Sequence, residues 1–317
     1  MNPKIFGIHH ITAIASDPQG NLDFYTSILG LRLVKKTVNY DDPGTYHLYY
    51  GDKQGHPGTI LTFFPWPGVR RGRKGTGQVT VTSFSIPKAA VDYWLERLKG
   101  HQVIVSGPVQ RFDEEAWSFQ DPDGLDLELV VSETLDSREV WEAGPVPAEF
   151  AIRGFSGATL SEEGYERTGG LLTETLGFEM IRETGNRFRY QIGEGESRSW
   201  IDLLCNSSTP HGHVAAGSVH HIAWRTDNEM NQAAWLERLL ELGFNVSPVM
   251  DRQYFRSIYF REPGGVLFEV ATDPPGFTVD EPVATLGARL CLPQWLEPTR
   301  VQIEKVLPPL SEALRGE

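Results

Sequence analysis

Short apolar and β-branched runs recur along the chain, each series broken by one amphipathic stretch. HHITAIA (9–15) opens the first series as a strand. PQGNLDFYTSILG (18–30) follows at helical spacing, with Leu22, Tyr25, Ile28 and Leu29 on one stripe and Gly30 to end it. LRLVKKTV, YHLYYGD and GTILTFFP then read as three more strands. The pattern predicts a βαβββ unit.

Sliding the chain on itself shows that the unit repeats. WLERL occurs at 94–98 and again at 235–239, an offset of 141 residues, and at that offset DPDGLDLELV (121–130) falls on EPGGVLFEVA (262–271). At an offset of 147, GIHHIT (7–12) falls on GFSGAT (154–159), and the Leu-Gly of SILGLRLVKKT (27–37) on that of ETLGFEMIRET (174–184). Four quarters result, about 5–68, 77–135, 150–207 and 217–273, followed by a tail. The fold class expected is α+β. Two tandem domains of two units each, 1–141 and 150–273, meet near the Pro/Gly-containing EAGPVPAE (142–149), and 274–317 forms the tail.

Composition narrows the function. With 317 residues and 40% hydrophobic side chains, the chain can bury two cores. A formal charge of -13 opposes a nucleic-acid partner. The one basic run, VRRGRKG (69–75), reads as a solvated loop. Cys205 and Cys291, the only two cysteines, give no disulfide framework and fit a reducing compartment. MNPKIFGIHH lacks the charged and apolar regions of a signal peptide, and no apolar run is long enough to span a bilayer, so the expected location is the cytoplasm, with no membrane partner.

Two His-His pairs carry the chemistry, one in GIHHITAIASD (7–17) and one in SVHHIAWRTD (218–227). At the repeat offsets, His221 falls on Thr80 and His10 on Gly157. A packing residue required by the unit would have bulky counterparts, so the histidines mark a site built once per chain. Glu269 sits inside the apolar GGVLFEVA, where an unpaired carboxylate is costly unless a cation answers it. Its counterpart Glu128 lies in LDLELVV without a histidine partner and reads as a hydrogen-bonded remnant.

His10, His221 and Glu269 then form a two-His-one-carboxylate set, which suits Fe(II) with open positions for substrate and oxygen. A fourth ligand would come from GTILTFFP (58–65), which has no His, Asp or Glu. Strand neighbours point to opposite faces, so only one histidine of each pair is expected to bind. The second of each is chosen from its spacing to the helix and from the resemblance that follows.

The βαβββ units with ligands on first and last strands resemble the vicinal oxygen chelate superfamily, the glyoxalase, bleomycin resistance and dioxygenase group. IHHIT, LGLRLVKKTVNYDDPGTYHLYYGD, GTILTFFPWP, RKG and PGGVLFEVATDPPGFTVDE more narrowly resemble ring-cleaving dioxygenases of the 2,6-dichlorohydroquinone 1,2-dioxygenase type, over nearly the whole chain. The resemblance implies curved mixed β-sheets with flanking helices, and iron ligands at His10, His221 and Glu269. It also implies supporting roles for His9, Thr12, His220 and Tyr259, the last ten residues before the Glu. DRQYFRS (251–257) is shorter than the family pattern, leaving Arg252 and Arg256 as stand-ins for an expected arginine.

The activity implied is Fe(II)-dependent opening of a hydroquinone-type ring with O2. Substrate would bind as the phenolate, and His9, His220 or Tyr259 would move protons, a histidine being favoured by its near-neutral pKa. Mn(II) suits the same ligands. The expected partners are a small aromatic substrate and O2, with self-association left open. The tail, with Phe277 and Trp295, is expected to cover one pocket edge. The rival readings are a glyoxalase-like lyase or isomerase using Zn, Ni or Mn, which would want a fourth ligand, and a metal-free module that sequesters an aromatic toxin.

Overall fold

The computed structural model describes residues 3–132, 138–193 and 198–311. Among them the four units appear in the expected order. Unit 1 holds β1 (Ile8–Ala15), α1 (Pro18–Asp23), β2 (Arg32–Asn39), β3 (Asp42–Gly51) and β4 (Ile60–Pro65). Unit 2 holds β5 (Gln78–Pro87), α2 (Val91–Gly100), β6 (Ser106–Arg111), β7 (Glu114–Gln120) and β8 (Asp126–Ser132). Unit 3 holds β9 (Phe155–Glu162), α3 (Glu166–Gly170), β10 (Glu179–Thr184), β11 (Arg187–Ile192) and β12 (Ser199–Cys205). Unit 4 holds β13 (Ser218–Thr226), α4 (Glu229–Glu241), β14 (Met250–Asp251), β15 (Arg256–Arg261) and β16 (Leu267–Thr272), and α5 (Arg300–Val306) lies in the tail.

The local signals explain the helices. Asp17 caps α1 by accepting from the Gln19 amide, and Pro18 stands in the first turn, where its missing N–H costs nothing. Of the predicted stripe, Leu22, Tyr25 and Leu29 are buried and Ile28 half-buried, and Gly30 ends it at φ +70°. The repeated WLERL buries Trp94 and Leu98 on α2, and Trp235 and Leu239 on α4, each pair one helical turn apart.

The units form two curled eight-stranded mixed sheets, ordered β14-β15-β16-β13-β1-β4-β3-β2 and β10-β11-β12-β9-β5-β8-β7-β6. Hydrogen bonding thus joins unit 1 to unit 4 and unit 2 to unit 3, across the tandem order of the chain. At the centre of each sheet two first strands run antiparallel, β1 with β13 and β5 with β9, and each is flanked by the parallel last strand of its own unit. This arrangement puts the first strand of unit 1 beside the first strand of unit 4, with the last strand of unit 4 one strand further on.

The basic run at 69–75 has exposed side chains, as expected, but its backbone is not free. Arg71 and Arg73 pair with Ala216 and His213 of the connector between units 3 and 4, and Lys74 meets Asp126 at 2.5 Å. The tail lies along β2, where the Cys291 amide donates to the Lys36 carbonyl and the buried Lys35 ammonium sits 2.5 Å from both Asp280 and Glu281. Among the described residues no helix is long and apolar enough to cross a membrane.

Candidate metal centre

The pairing of β1 with β13 slips twice. Ile8 faces Trp224 and His10 faces Ala223, which leaves His9 extra; Thr12 faces His221 and Ala13 faces Val219, which leaves His220 extra. Each is a β-bulge, which re-aims the side chain of the inserted residue. The first histidine of each pair therefore does not turn to the opposite face, as a regular strand would require. Instead His9 Nδ1 lies 2.9 Å from His10 Nδ1, and His220 Nδ1 lies 2.8 Å from His221 Nδ1.

The far nitrogens of the second histidines converge. His10 Nε2 and His221 Nε2 are 3.2 Å apart, and Glu269 Oε2 lies 3.4 Å from the first and 2.9 Å from the second. Donors bound at ~2.1 Å and at right angles around one ion lie about 3 Å from each other, so the three form one face of a coordination shell. All three side chains are buried.

The other carboxylate oxygen, Oε1, accepts from Ser257 Oγ, whereas Oε2 is buried with no hydrogen bond of its own. Burial opposes ionisation of Glu269, but the facing His10 and His221 hold its carboxyl well below the usual range. Burial in turn lowers the pKa of His221. A buried carboxylate oxygen facing two imidazoles and lacking a donor is the environment a divalent cation completes, and the donor set fits one.

The Nδ1 contacts determine tautomers. A His10 that offers Nε2 to a cation carries its proton on Nδ1 and donates it to His9, and His221 likewise donates to His220. The two acceptors then differ. His9 is fully buried and passes its remaining N–H to the Thr272 carbonyl. His220 lines a cavity, and burial pushes its pKa down to about 3.

That cavity, about 310 Å³, is walled by Tyr40, Tyr49, Phe64, Trp66, Phe255 and Tyr259, with His10 and His221 at one end. A single aromatic ring fits such a space. Arg252 reaches into it, its Nε 3.2 Å from the Tyr259 hydroxyl and Nη1 3.0 Å from Asp41. Arg256 instead pairs with Glu229 of α4, which leaves Arg252 as the pocket arginine. Phe277 is buried against Tyr49 and Tyr254, and Trp295 packs edge-on to Tyr40, so the tail supports the wall from behind.

Sequence reasoning missed His47. It lines the cavity, with Nε2 2.7 Å from Thr62 Oγ1 and Nδ1 2.9 Å from the Tyr49 hydroxyl. Its signal was present in the alternation of YHLYYGD, where His47 and Tyr49 share a face. Thr12 is fully buried, faces His221 across the strand pair and bonds Thr62 at 3.0 Å. Thr62 stands beside Thr12 on β4 as Glu269 stands beside Ala223 on β16, and so occupies the fourth-ligand position.

The second sheet corrects the repeat alignment. Its bulges fall on Thr80 and Ser156, so Thr80 matches His220, and His221 matches Val81 rather than Thr80. The offset is 140 in the first strand and 141 from the helix onward, because unit 4 has one residue more between them. Glu128 is no ligand: Arg111 grips it through two bonds of 2.6 and 2.8 Å, and Ser83 and Ser118 donate to it. A second acidic cluster, Asp280, Glu281 and Cys291, surrounds the Lys35 ammonium, which already supplies the positive charge.

The model of the Glyoxalase/Bleomycin resistance protein/Dioxygenase superfamily matches residues 7–129 and 163–270. MhqO of Bacillus subtilis (strain 168), which carries the name of a ring-cleaving dioxygenase, is 49% identical over 311 residues, 98% of each chain. The chlorohydroquinone/hydroquinone 1,2-dioxygenase of Sphingobium indicum is 34% identical over 313 residues, 96% of each chain. A crystal structure described as that of a dioxygenase from Bacillus subtilis subsp. subtilis strain 168 superposes with a TM-score of 0.92 at 48% identity, covering 98% of each chain. The chain belongs to the Glyoxalase/Bleomycin resistance protein/Dioxygenase superfamily.

Proposed function

We propose that this protein is an Fe(II)-dependent ring-cleaving dioxygenase that opens a hydroquinone-type ring with O2. The observation that carries the reading is the buried, donorless Glu269 Oε2 set against His10 Nε2 and His221 Nε2 at the end of an aromatic-walled cavity. The names of the 49% and 34% identical relatives support the ring-cleaving reaction and the substrate class.

His10, His221 and Glu269 would hold the iron, which supplies Lewis acidity toward a phenol oxygen and a route for electrons between ring and O2. The residues around it do the rest. Tyr40, Tyr49, Phe64 and Phe255 hold the ring flat and exclude water. His220 faces the cavity while its Nδ1 accepts from His221, so its Nε2 carries the remaining N–H and donates it as a hydrogen bond to a substrate oxygen. Arg252 places a cation where negative charge develops on substrate oxygen. Thr62, bonded to Thr12 and His47, puts a hydroxyl where a lyase or isomerase of the fold would want a fourth charged ligand.

The test is oxygen uptake by anaerobically Fe(II)-reconstituted protein offered hydroquinones and catechols. Uptake matched to ring loss, and abolished by His10→Ala, His221→Ala and Glu269→Ala, is expected. Stoichiometric metal with no uptake on any phenol would overturn the dioxygenase reading and turn attention to lyase and isomerase substrates.

A further inference from the structure

The two half-sites contain the same arginine in two different states. Arg111 precedes Glu128 by as many residues as Arg252 precedes Glu269, and both arginines lie 141 residues apart in the repeat. In the second sheet Arg111 lies on its glutamate, with Nη1 2.8 Å from Oε2 and Nη2 2.6 Å from Oε1. That guanidinium provides the charge that a metal provides elsewhere. In the first sheet Arg252 is turned away, and Glu269 faces the histidines.

Two differences account for this. The residue opposite the glutamate on the neighbouring strand is Ser118 in one half and Tyr259 in the other. Tyr259 holds Arg252 by its hydroxyl at 3.2 Å and by its ring, 5.4 Å from the guanidinium. The second difference lies at a hairpin tip. The β2–β3 tip carries Asp41, whose carboxylate is 3.0 Å from Arg252 Nη1, and its backbone is held by Asn39 Oδ1 accepting from the Asp41 amide. The equivalent β10–β11 tip is Gly185–Asn186, with no carboxylate, and Asn186 donates to the Cys205 carbonyl instead.

We infer that Asp41 is a positioning residue: by anchoring Arg252 it keeps the guanidinium from collapsing onto Glu269 and competing with the metal. A bidentate Arg–carboxylate pair is a strong alternative for a buried carboxylate, so the anchor matters for metal affinity. Asp41 lines the cavity, but its ion pair is with Arg252 and not with a ligand histidine, and its side chain is 63% exposed, so the fold loses little without it. The inference rests on the metal-centre reading.

The test is Mn(II) binding, followed by loss of the free-ion EPR signal, in wild type, Asp41→Asn, Arg252→Gln, the double variant and His10→Ala. Asp41→Asn should weaken binding about tenfold. Arg252→Gln should not weaken it, and adding Arg252→Gln to Asp41→Asn should restore it. Wild-type affinity in Asp41→Asn, or a double variant as weak as Asp41→Asn alone, would overturn the positioning role. If wild type binds Mn(II) no better than His10→Ala does, the metal-centre reading itself fails, and the inference with it.

Discussion

The Nδ1 atoms of His220 and His221 lie 2.8 Å apart, so one imidazole must accept where the other donates. The same contact at 2.9 Å joins His9 to His10, yet the two outer histidines differ in what remains free.

His9→Ala and His220→Ala should both weaken metal binding, by about 10- to 100-fold, because each removes the partner that orients a ligand. Only His220→Ala should also cut kcat of the fully metal-loaded protein, by about 100-fold or more, since His9 has its remaining N–H committed to Thr272. Metal titration beside steady-state kinetics separates the two effects. Equal loss of kcat in both variants would remove the hydrogen-bonding role of His220 toward substrate.

Arg111→Met should destabilise the fold by about 3–5 kcal/mol in urea unfolding, because Glu128 is left buried without its cation. Arg111→Met with Glu128→Leu should recover most of that loss. Metal content should stay at one ion per chain in both, and a second ion in wild type would show the second half-site to be active.

Glu162 should give stability a pH slope. Burial, with Glu262 and Glu163 nearby, pushes its carboxyl up to about 8. The folded state therefore holds a proton that the unfolded chain releases near pH 4.5, so the contribution is complete below that pH and is lost as pH rises toward 8. Urea midpoints measured from pH 4.5 to 8 should fall in step with about 1 kcal/mol per pH unit from this group. Glu162→Gln should flatten that part of the profile; an unchanged slope would assign it elsewhere.

His47→Phe keeps the ring that packs on Tyr49 and Phe64, 4.0 and 4.3 Å between centroids, but strands the buried Tyr49 hydroxyl. The expected cost is about 1–3 kcal/mol of stability with metal affinity intact. A loss of metal binding as large as that of His10→Ala would make His47 part of the ligand set.

Much of this was legible because it is local. The stripe of Leu22, Tyr25 and Leu29, the WLERL helices and the Glu inside an apolar strand are set by residues within a turn or two of each other. Repeat offsets then singled out the histidines, although one inserted residue in unit 4 shifted the match from Val81 to Thr80. His47 was missed because a lone histidine on an alternating strand looks like ordinary core until the strand across from it is known. The choice between Arg252 and Arg256 was equally out of reach, since it depends on β15 bringing Arg256 to Glu229 of α4 while the β14–β15 turn brings Arg252 to the cavity.

The residues by themselves determined the four βαβββ units, the α+β class and the donor types a divalent metal needs, since periodicity and repetition are written along the chain. Tertiary structure decided that unit 1 pairs with unit 4, which brings His10 within 3.4 Å of a glutamate 259 positions away. It also decided that bulges at His9 and His220 fold each neighbour onto its ligand. The physical reason is that strand register and bulge position arise from hydrogen bonding between distant segments, and no short window of sequence contains both partners.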